Sequence, residues 1–171
     1  YKEDRIIIKQ KDFSINSNLL LASDGKNSFI RKIFKTPIYS KDYKKKAIVI
    51  NFYHSKNHQN TAYEFFLKNG PLAILPMQNN KNEFQSSIVW TNTNEFINSL
   101  ISLDDKKIID ILNSKIQGSI GKIKKIITKQ TFPLRAHLNS KFYEKRTVYI
   151  GDSAHSFHPI AGQGWNLGMQ D

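Results

Sequence analysis

Two short apolar strands, each closing on a paired aspartate and glycine and each leading into a helix, constrain this chain more than any other feature. The first unit is SNLLLASDGKNSFIRKIF, residues 17–34. Leu19, Leu20 and Leu21 form a continuous apolar run of the kind buried on both faces of a sheet. Asp24-Gly25 is a turn signal, and Phe29, Ile30, Ile33 and Phe34 then follow at helical spacing. The second unit is YIGDSAHSFHPIAGQGWNLGMQD, residues 149–171. Val148 to Ile150 reads as a strand, and Gln163, after Pro159 and Gly162, reads as a helix start.

Between the two units the pattern changes. Lys46–Phe52, Thr61–Leu67, Leu72–Met77 and Phe84–Thr91 read as strands separated by polar loops or by the Gly70-Pro71 break, the spacing of an antiparallel sheet. In the last of them Ser86, Ile88 and Trp90 share one face, while Ser87, Val89 and Thr91 share the other. Thr93 or Asn94 caps a helix to about Leu103, and Asp104 opens another toward Gly118. Lys122–Phe132 and Arg5–Lys9 read as extended. The fold class is therefore α/β, with an α+β sheet inserted between two strand-turn-helix units. The chain begins at Tyr1 and ends at Asp171 within a helical pattern, which suggests a fragment of a longer protein.

Charge raises a competing reading. Twenty-six Lys and Arg face fourteen Asp and Glu, a formal charge of +12, the balance of a module for nucleic acid or an anionic membrane. Only four of the basic residues are Arg, the side chain that makes bidentate contacts to phosphate and guanine. The excess lies entirely before residue 150, in runs such as Lys44–Lys46 and the set Lys122, Lys124 and Lys125, which read as solvated surface or a face toward anionic lipid. A phosphate-binding surface has no use for the neutral, glycine-punctuated terminus. There is no cysteine, hence no disulfide framework and no thiolate metal site. No apolar run approaches the roughly 20 residues of a membrane span.

The terminal stretch concentrates the chemistry. A carboxylate at a strand end, as at Asp152, accepts hydrogen bonds from sugar or polyol hydroxyls, although a lone aspartate there serves equally as a cap or turn residue. His155 and His158 share helical spacing but have no third ligand and no HExxH pattern, so metal binding is not assigned. Ser153 and Ser156 beside histidines lack the GxSxG elbow of a hydrolase. No residue stands out as a catalytic acid or base.

GDSAHSFHPIAGQGWNLGMQD resembles the second flavin-binding motif of the FAD-dependent aromatic hydroxylases, the class A flavoprotein monooxygenases, and most closely the branch that hydroxylates ubiquinone precursors. SDGKNSFIRK, with Asp24, Gly25, Ser28 and Arg31, matches the DGxxSxxR pattern of that family. GPLAILPM followed by SSIVW resembles its central sheet. The order of the matches and the spacing of about 120 residues between the DG and GD motifs agree with the family.

The resemblance implies an α+β substrate sheet inserted in a Rossmann-like FAD-binding fold, as a fragment of a two-domain flavoprotein hydroxylase. Residues 1–35 would belong to the FAD-binding domain with the DG motif, 36–140 would form the substrate-domain sheet and helices, and 141–171 would return to the FAD-binding domain. The GxGxxG unit that the family places near its N-terminus, and its C-terminal helices, would lie outside the chain. Asp152 would hydrogen-bond the ribityl chain of FAD, with Gly151 keeping the approach open. Pro159, Ala161, Gly162, Gln163 and Gly164 would form the loop beside the isoalloxazine. The amides of Trp165 and Asn166 would face the ring's pyrimidine edge, and Trp165, where the family usually has Leu, would crowd or stack near the ring. Asp24, Gly25 and Arg31 would serve the dinucleotide portion and the nicotinamide donor, although an ion pair holding turn to helix reads equally well for Arg31.

The implied reaction is hydroxylation of an aromatic ring, with NADPH or NADH reducing FAD and oxygen transferred through a flavin hydroperoxide. The implied partners are a prenylated aromatic substrate and molecular oxygen, with no nucleic acid. Peripheral contact with the inner membrane of a bacterium, or with a biosynthetic complex, from a cytoplasmic location follows from the lipophilic substrate class. A related flavoprotein acting on another aromatic or an alkene is the alternative within the same fold. Without the GxGxxG unit, the 171 residues alone are expected neither to retain FAD nor to turn over a nicotinamide donor.

Overall fold

The computed structural model describes residues 5–80, 83–116, 118–157 and 163–171. The chain forms two units, one from the residues up to Tyr43 together with those from Arg135 onward, the other from Lys44 to Leu134.

The Lys44–Leu134 unit is an antiparallel sheet with helices on one face. Its strands are β4 (Ile38–His54), β5 (Tyr63–Leu67), β6 (Gly70–Pro76), β7 (Phe84–Thr93) and β8 (Ile123–Asn139), in the order β8-β4-β7-β6-β5. Register pairs Ile48 with Trp90, Ile50 with Ile88 and Phe52 with Ser86, and continues from β7 to Leu72 and Ile74 of β6. Side chains two residues apart share a face, so Ser86, Ile88 and Trp90 lie on the buried face as their alternation requires. Two helices, α2 (Asn94–Ile101) and α3 (Asp105–Lys115), complete that core with Ile97, Leu100, Ile108 and Leu112. Each starts where its cap stands. Thr93 accepts the Phe96 amide at 3.3 Å and Asp104 accepts the Lys107 amide at 2.9 Å, bonds that satisfy otherwise orphaned helix donors.

In the other unit, β1 (Ile6–Gln10) and β2 (Phe13–Ser17) form an antiparallel hairpin. β3 (Leu20–Ala22) lies parallel to β10 (Thr147–Tyr149), which pairs antiparallel with β9 (Tyr143–Glu144). α1 (Phe29–Phe34) follows β3, a 3-10 turn (Gly151–Ser153) follows β10, β11 (His155–Ser156) pairs with the end of β8, and α4 spans Gln163–Gly168. Ala22, Tyr149 and Ala154 form the buried cluster, against which Ile30 and Phe34 pack.

Several local expectations need correction. Leu19 and Leu21 are 51% and 56% exposed, not buried on both faces, because β3 is an outer strand and only alternate residues such as Ala22 turn inward. Residues 13–17 form a separate strand that the sequence reading missed. β4 and β8 run for 17 residues each rather than for the apolar halves read as strands. Their remaining parts, such as residues 39–45, are too polar to show a hydrophobic period, and β8 continues through Pro133 beyond the stretch read as extended.

Candidate functional site

The parallel pairing of β3 with β10 is what builds the site. Its register, Thr147 with Leu20, Val148 with Leu21 and Tyr149 with Ala22, brings the C-terminal ends of both strands side by side. Both glycine-aspartate turns leave from those ends. Crevices outside the carboxyl ends of parallel strands are where α/β folds bind ligands.

On the first turn, Gly25 takes φ +79°, a left-handed conformation that a side chain disfavours. The Asp24 carboxylate accepts the amides of Phe29 at 2.6 Å and Ile30 at 3.1 Å, while the Ser28 hydroxyl accepts that of Arg31 at 3.0 Å. Burial favours the neutral acid, but bonds from Ser28 and from the Ile30 and Phe29 amides outweigh it and hold Asp24 below its ordinary value. Asp24 is therefore engaged in starting α1.

Arg31 is 8% exposed and reaches across to the second turn. Its guanidinium donates to the Lys26 carbonyl at 2.5 Å and the Ser153 carbonyl at 2.9 Å, and lies 3.1 Å from His137 Nε2. Guanidinium has no acceptor, so His137 accepts there. Burial, then the charges of Arg31 and Lys26, push the His137 pKa down, opposed by Asp152. The Ser153 hydroxyl donates to the Ala22 or Ile150 carbonyl and accepts the Ile150 amide, which ties the second turn to β3. Asn139 adds a bond to the Ser153 carbonyl at 3.1 Å.

On the second turn, Gly151 adopts φ +57°. Asp152 is exposed, and among the described residues its carboxylate makes no hydrogen bond or ion pair. It lies at a cleft of about 570 Å³ lined by Gly151, Asp152, Ser156, Phe157, Gly164, Trp165, Gly168 and Met169, a size typical of small-molecule sites. Trp165 is 76% exposed at this cleft. Gly168 permits close approach, since a Cβ on it would come within 3.3 Å of Gly151 Cα. The residues suit a ligand with a hydroxylated chain and a flat apolar ring: one free carboxylate acceptor, three glycines and two aromatic side chains.

Of the residues singled out from sequence, Gly151, Asp152, Gly164 and Trp165 converge on this cleft. Gln163 and Asn166 are exposed on α4 and do not line it. Asp24, Gly25 and Arg31 do not line the cleft: Asp24 and Gly25 form the first turn, and Arg31 bonds the Ser153 carbonyl of the second. Pro159, Ala161 and Gly162 lie outside the described residues, as does His158. Four residues that sequence reasoning did not assign bind the site together: Ser153, His137, His155 and Asp171. His155 Nε2 lies 2.9 and 3.1 Å from the two carboxylate oxygens of Asp171, and Asp171 also accepts the Gly151 amide at 2.5 Å. Nothing in the separation of these partners along the chain announces the contacts.

Comparison with known proteins adds to this geometry. The profile of a family described as FAD binding domain matches residues 6–171. A ubiquinone hydroxylase, UbiL, of Rhodospirillum rubrum is 30% identical over 158 residues, covering 92% of this chain and 36% of that protein. The human mitochondrial ubiquinone biosynthesis monooxygenase COQ6 is 29% identical over 192 residues, covering 92% of this chain and 40% of its own length. The chain thus spans little more than a third of the length of these curated relatives. Among solved structures, the flavin-dependent halogenase CmlS superposes with a TM-score of 0.69 at 14% identity, covering 99% of this chain and 32% of that one. The anhydrotetracycline hydroxylase OxyS of Streptomyces rimosus does so with a TM-score of 0.61 at 15% identity, covering 99% and 34%. At such low identity these two establish the shared fold alone.

Proposed function

Because this chain belongs to the FAD binding domain family, we propose that it forms the flavin-facing turn and the substrate sheet of a monooxygenase that hydroxylates an aromatic ring in ubiquinone biosynthesis. The ubiquinone hydroxylase of Rhodospirillum rubrum and the human mitochondrial ubiquinone biosynthesis monooxygenase among its relatives support that substrate class. One observation carries the reading. Asp152 presents an exposed carboxylate, with no hydrogen bond or ion pair among the described residues, at a glycine- and aromatic-lined cleft at the C-terminal end of a parallel strand pair.

Asp152 would hold the hydroxyls of the ribityl chain, and Gly151, Gly164 and Trp165 would flank the ring. Bound FAD would supply the redox and oxygen-activating chemistry for hydroxylation of an electron-rich ring, with NADH or NADPH as the electron source, the hard chemistry that such cofactors carry. The protein's own part is positional. Asp24 and Ser28 start α1, and Arg31 and Ser153 hold the Gly151–Ser153 turn against it. In the other unit, Val49, Val89 and Ala73 are half-buried neighbours across β4, β7 and β6, on the face opposite the core. That small apolar row suits a prenylated phenol as substrate. No helix among the described residues is long and apolar enough to cross a membrane. Peripheral contact with the inner membrane, from the cytoplasmic side, would draw on the lysine-rich surface.

The test uses the complete gene product that carries these residues. It should purify with bound FAD, oxidise NADH or NADPH faster in the presence of a polyprenyl phenol, and yield the hydroxylated ring. Asp152→Ala should lower FAD occupancy. Absence of flavin would refute the cofactor reading. Turnover of simple hydroxybenzoates in place of the prenylated phenol would move the protein to another branch of the family.

A further inference from the structure

The cleft beside Asp152 has two walls, and one side chain joins them. Gly151, Asp152, Ser156 and Phe157 come from the turn and β11, while Gly164, Trp165, Gly168 and Met169 come from α4. Asp171, just beyond α4, folds back onto the first wall. Its carboxylate accepts the Gly151 amide at 2.5 Å and contacts His155 Nε2 at 2.9 and 3.1 Å. His155 is itself buried, with Phe142 at 6.1 Å and Phe157 at 5.4 Å between ring centroids. The Asp171 side chain is only 19% exposed. Where the walls meet the packing is tight, since a Cβ on Gly168 would come to 3.3 Å from Gly151 Cα.

We infer that Asp171, with His155 as its partner, is a positioning residue that sets the width of this cleft. The carboxylate bonds the backbone amide immediately before Asp152, so the same group that anchors α4 also orients the turn that presents Asp152. Among the described residues no other hydrogen bond joins α4 or the residues following it to the turn. Loss of the carboxylate leaves a buried imidazole and the Gly151 amide without their partner and lets the two walls part. The inference rests on the reading of this cleft as the flavin site.

The test compares wild type, Asp171→Ala and Asp171→Asn in the complete gene product, measuring the FAD dissociation constant by equilibrium dialysis and the absorption spectrum of bound flavin. Asp171→Ala is expected to weaken FAD at least tenfold and to move the bound-flavin spectrum toward that of free flavin, because a looser cleft admits water to the ring. Asp171→Asn keeps the volume and one acceptor but loses the charge, and is expected to weaken FAD about threefold with a smaller spectral displacement. A purely structural role would lower the melting temperature and leave the spectrum of whatever flavin stays bound unchanged. Wild-type affinity and spectrum in either variant overturn the inference, and Asp171→Asn decides alone if Asp171→Ala does not fold. A wild-type protein that binds no FAD overturns the functional reading instead.

Discussion

Replacing Arg31 by Met removes a guanidinium that is 8% exposed while keeping most of the side-chain volume. Three interactions go with it, to the carbonyls of Lys26 and Ser153 and to His137 Nε2. The Ser153 carbonyl keeps its bond from Asn139, but the Arg31 bond to the Lys26 carbonyl is gone. Hydrogen bonds from a charged donor contribute about 1.5–3 kcal/mol each, and a buried acceptor left unsatisfied costs about 1–3 kcal/mol. Burying the cation also carries a desolvation cost that the Met variant escapes, so the net loss should be about 2–4 kcal/mol. For a chain of 171 residues, at about 2–4 °C per kcal/mol, the melting temperature should fall by roughly 4–16 °C.

Electrostatics provides a second readout. Arg31 is one of the charges that push His137 down, so His137 should titrate at a higher pH in Arg31→Met, measurable by NMR of the imidazole protons. Arg31→Lys keeps the charge but not the planar fork, and should lose stability while leaving His137 low. A destabilisation below about 1 kcal/mol, or a His137 titration unmoved in Arg31→Met, would refute this account of how α1 is tied to the Gly151–Ser153 turn.

Glycine substitutions should separate two costs. At Gly70 the backbone has φ +150° and a Cβ would collide with the Thr91 carbonyl, whereas at Gly25, with φ +79°, nothing lies within 4 Å. Gly25→Ala should cost about 1 kcal/mol from conformation alone, and Gly70→Ala distinctly more, read by thermal or urea unfolding. Acid should destabilise the protein through His54 and His137, both held by burial below their ordinary value of 6.5. The unfolded chain then takes up protons first, so stability is complete above about pH 6.5 and declines as pH falls toward the folded-state values, by at most about 1.4 kcal/mol per pH unit for each histidine. Unfolding midpoints between pH 8 and pH 5 measure this, and His54→Gln should flatten the decline. Finally, residues 1–171 expressed alone should purify without stoichiometric FAD, and a yellow preparation would show that the GxGxxG unit is dispensable.

Local features were legible wherever the bond that makes them spans few residues. Thr93 and Asp104 are caps because each side chain meets an amide three positions on; Ser28, which the sequence marked only as part of a helix, caps α1 in the same way. The strand-turn-helix character of residues 17–34 follows from Asp24-Gly25 and the spacing after it, although Phe29 and Ile33 turn outward rather than into a core. The alternation of Ser86, Ile88 and Trp90 identified the core face of β7, since a strand's period is independent of its neighbours. Where a strand's environment depends on its place in the sheet, as for Leu19 and Leu21, the apolar run misled.

The candidate site divides along the same line. The amino-acid sequence by itself determined the two turns, the place of Asp152 at a strand end and the resemblance to flavin hydroxylases, because these reside in contiguous residue types. Only the tertiary structure decided what those residues touch. Arg31 meets Ser153, and His155, uninformative as a motif, meets Asp171. The first bond depends on β3 and β10 lying parallel, with their ends side by side, although most of the chain separates them; the second depends on α4 returning its end to the turn. A hydrogen bond selects its partner by distance and angle in space, and that geometry exists only once the strands have paired.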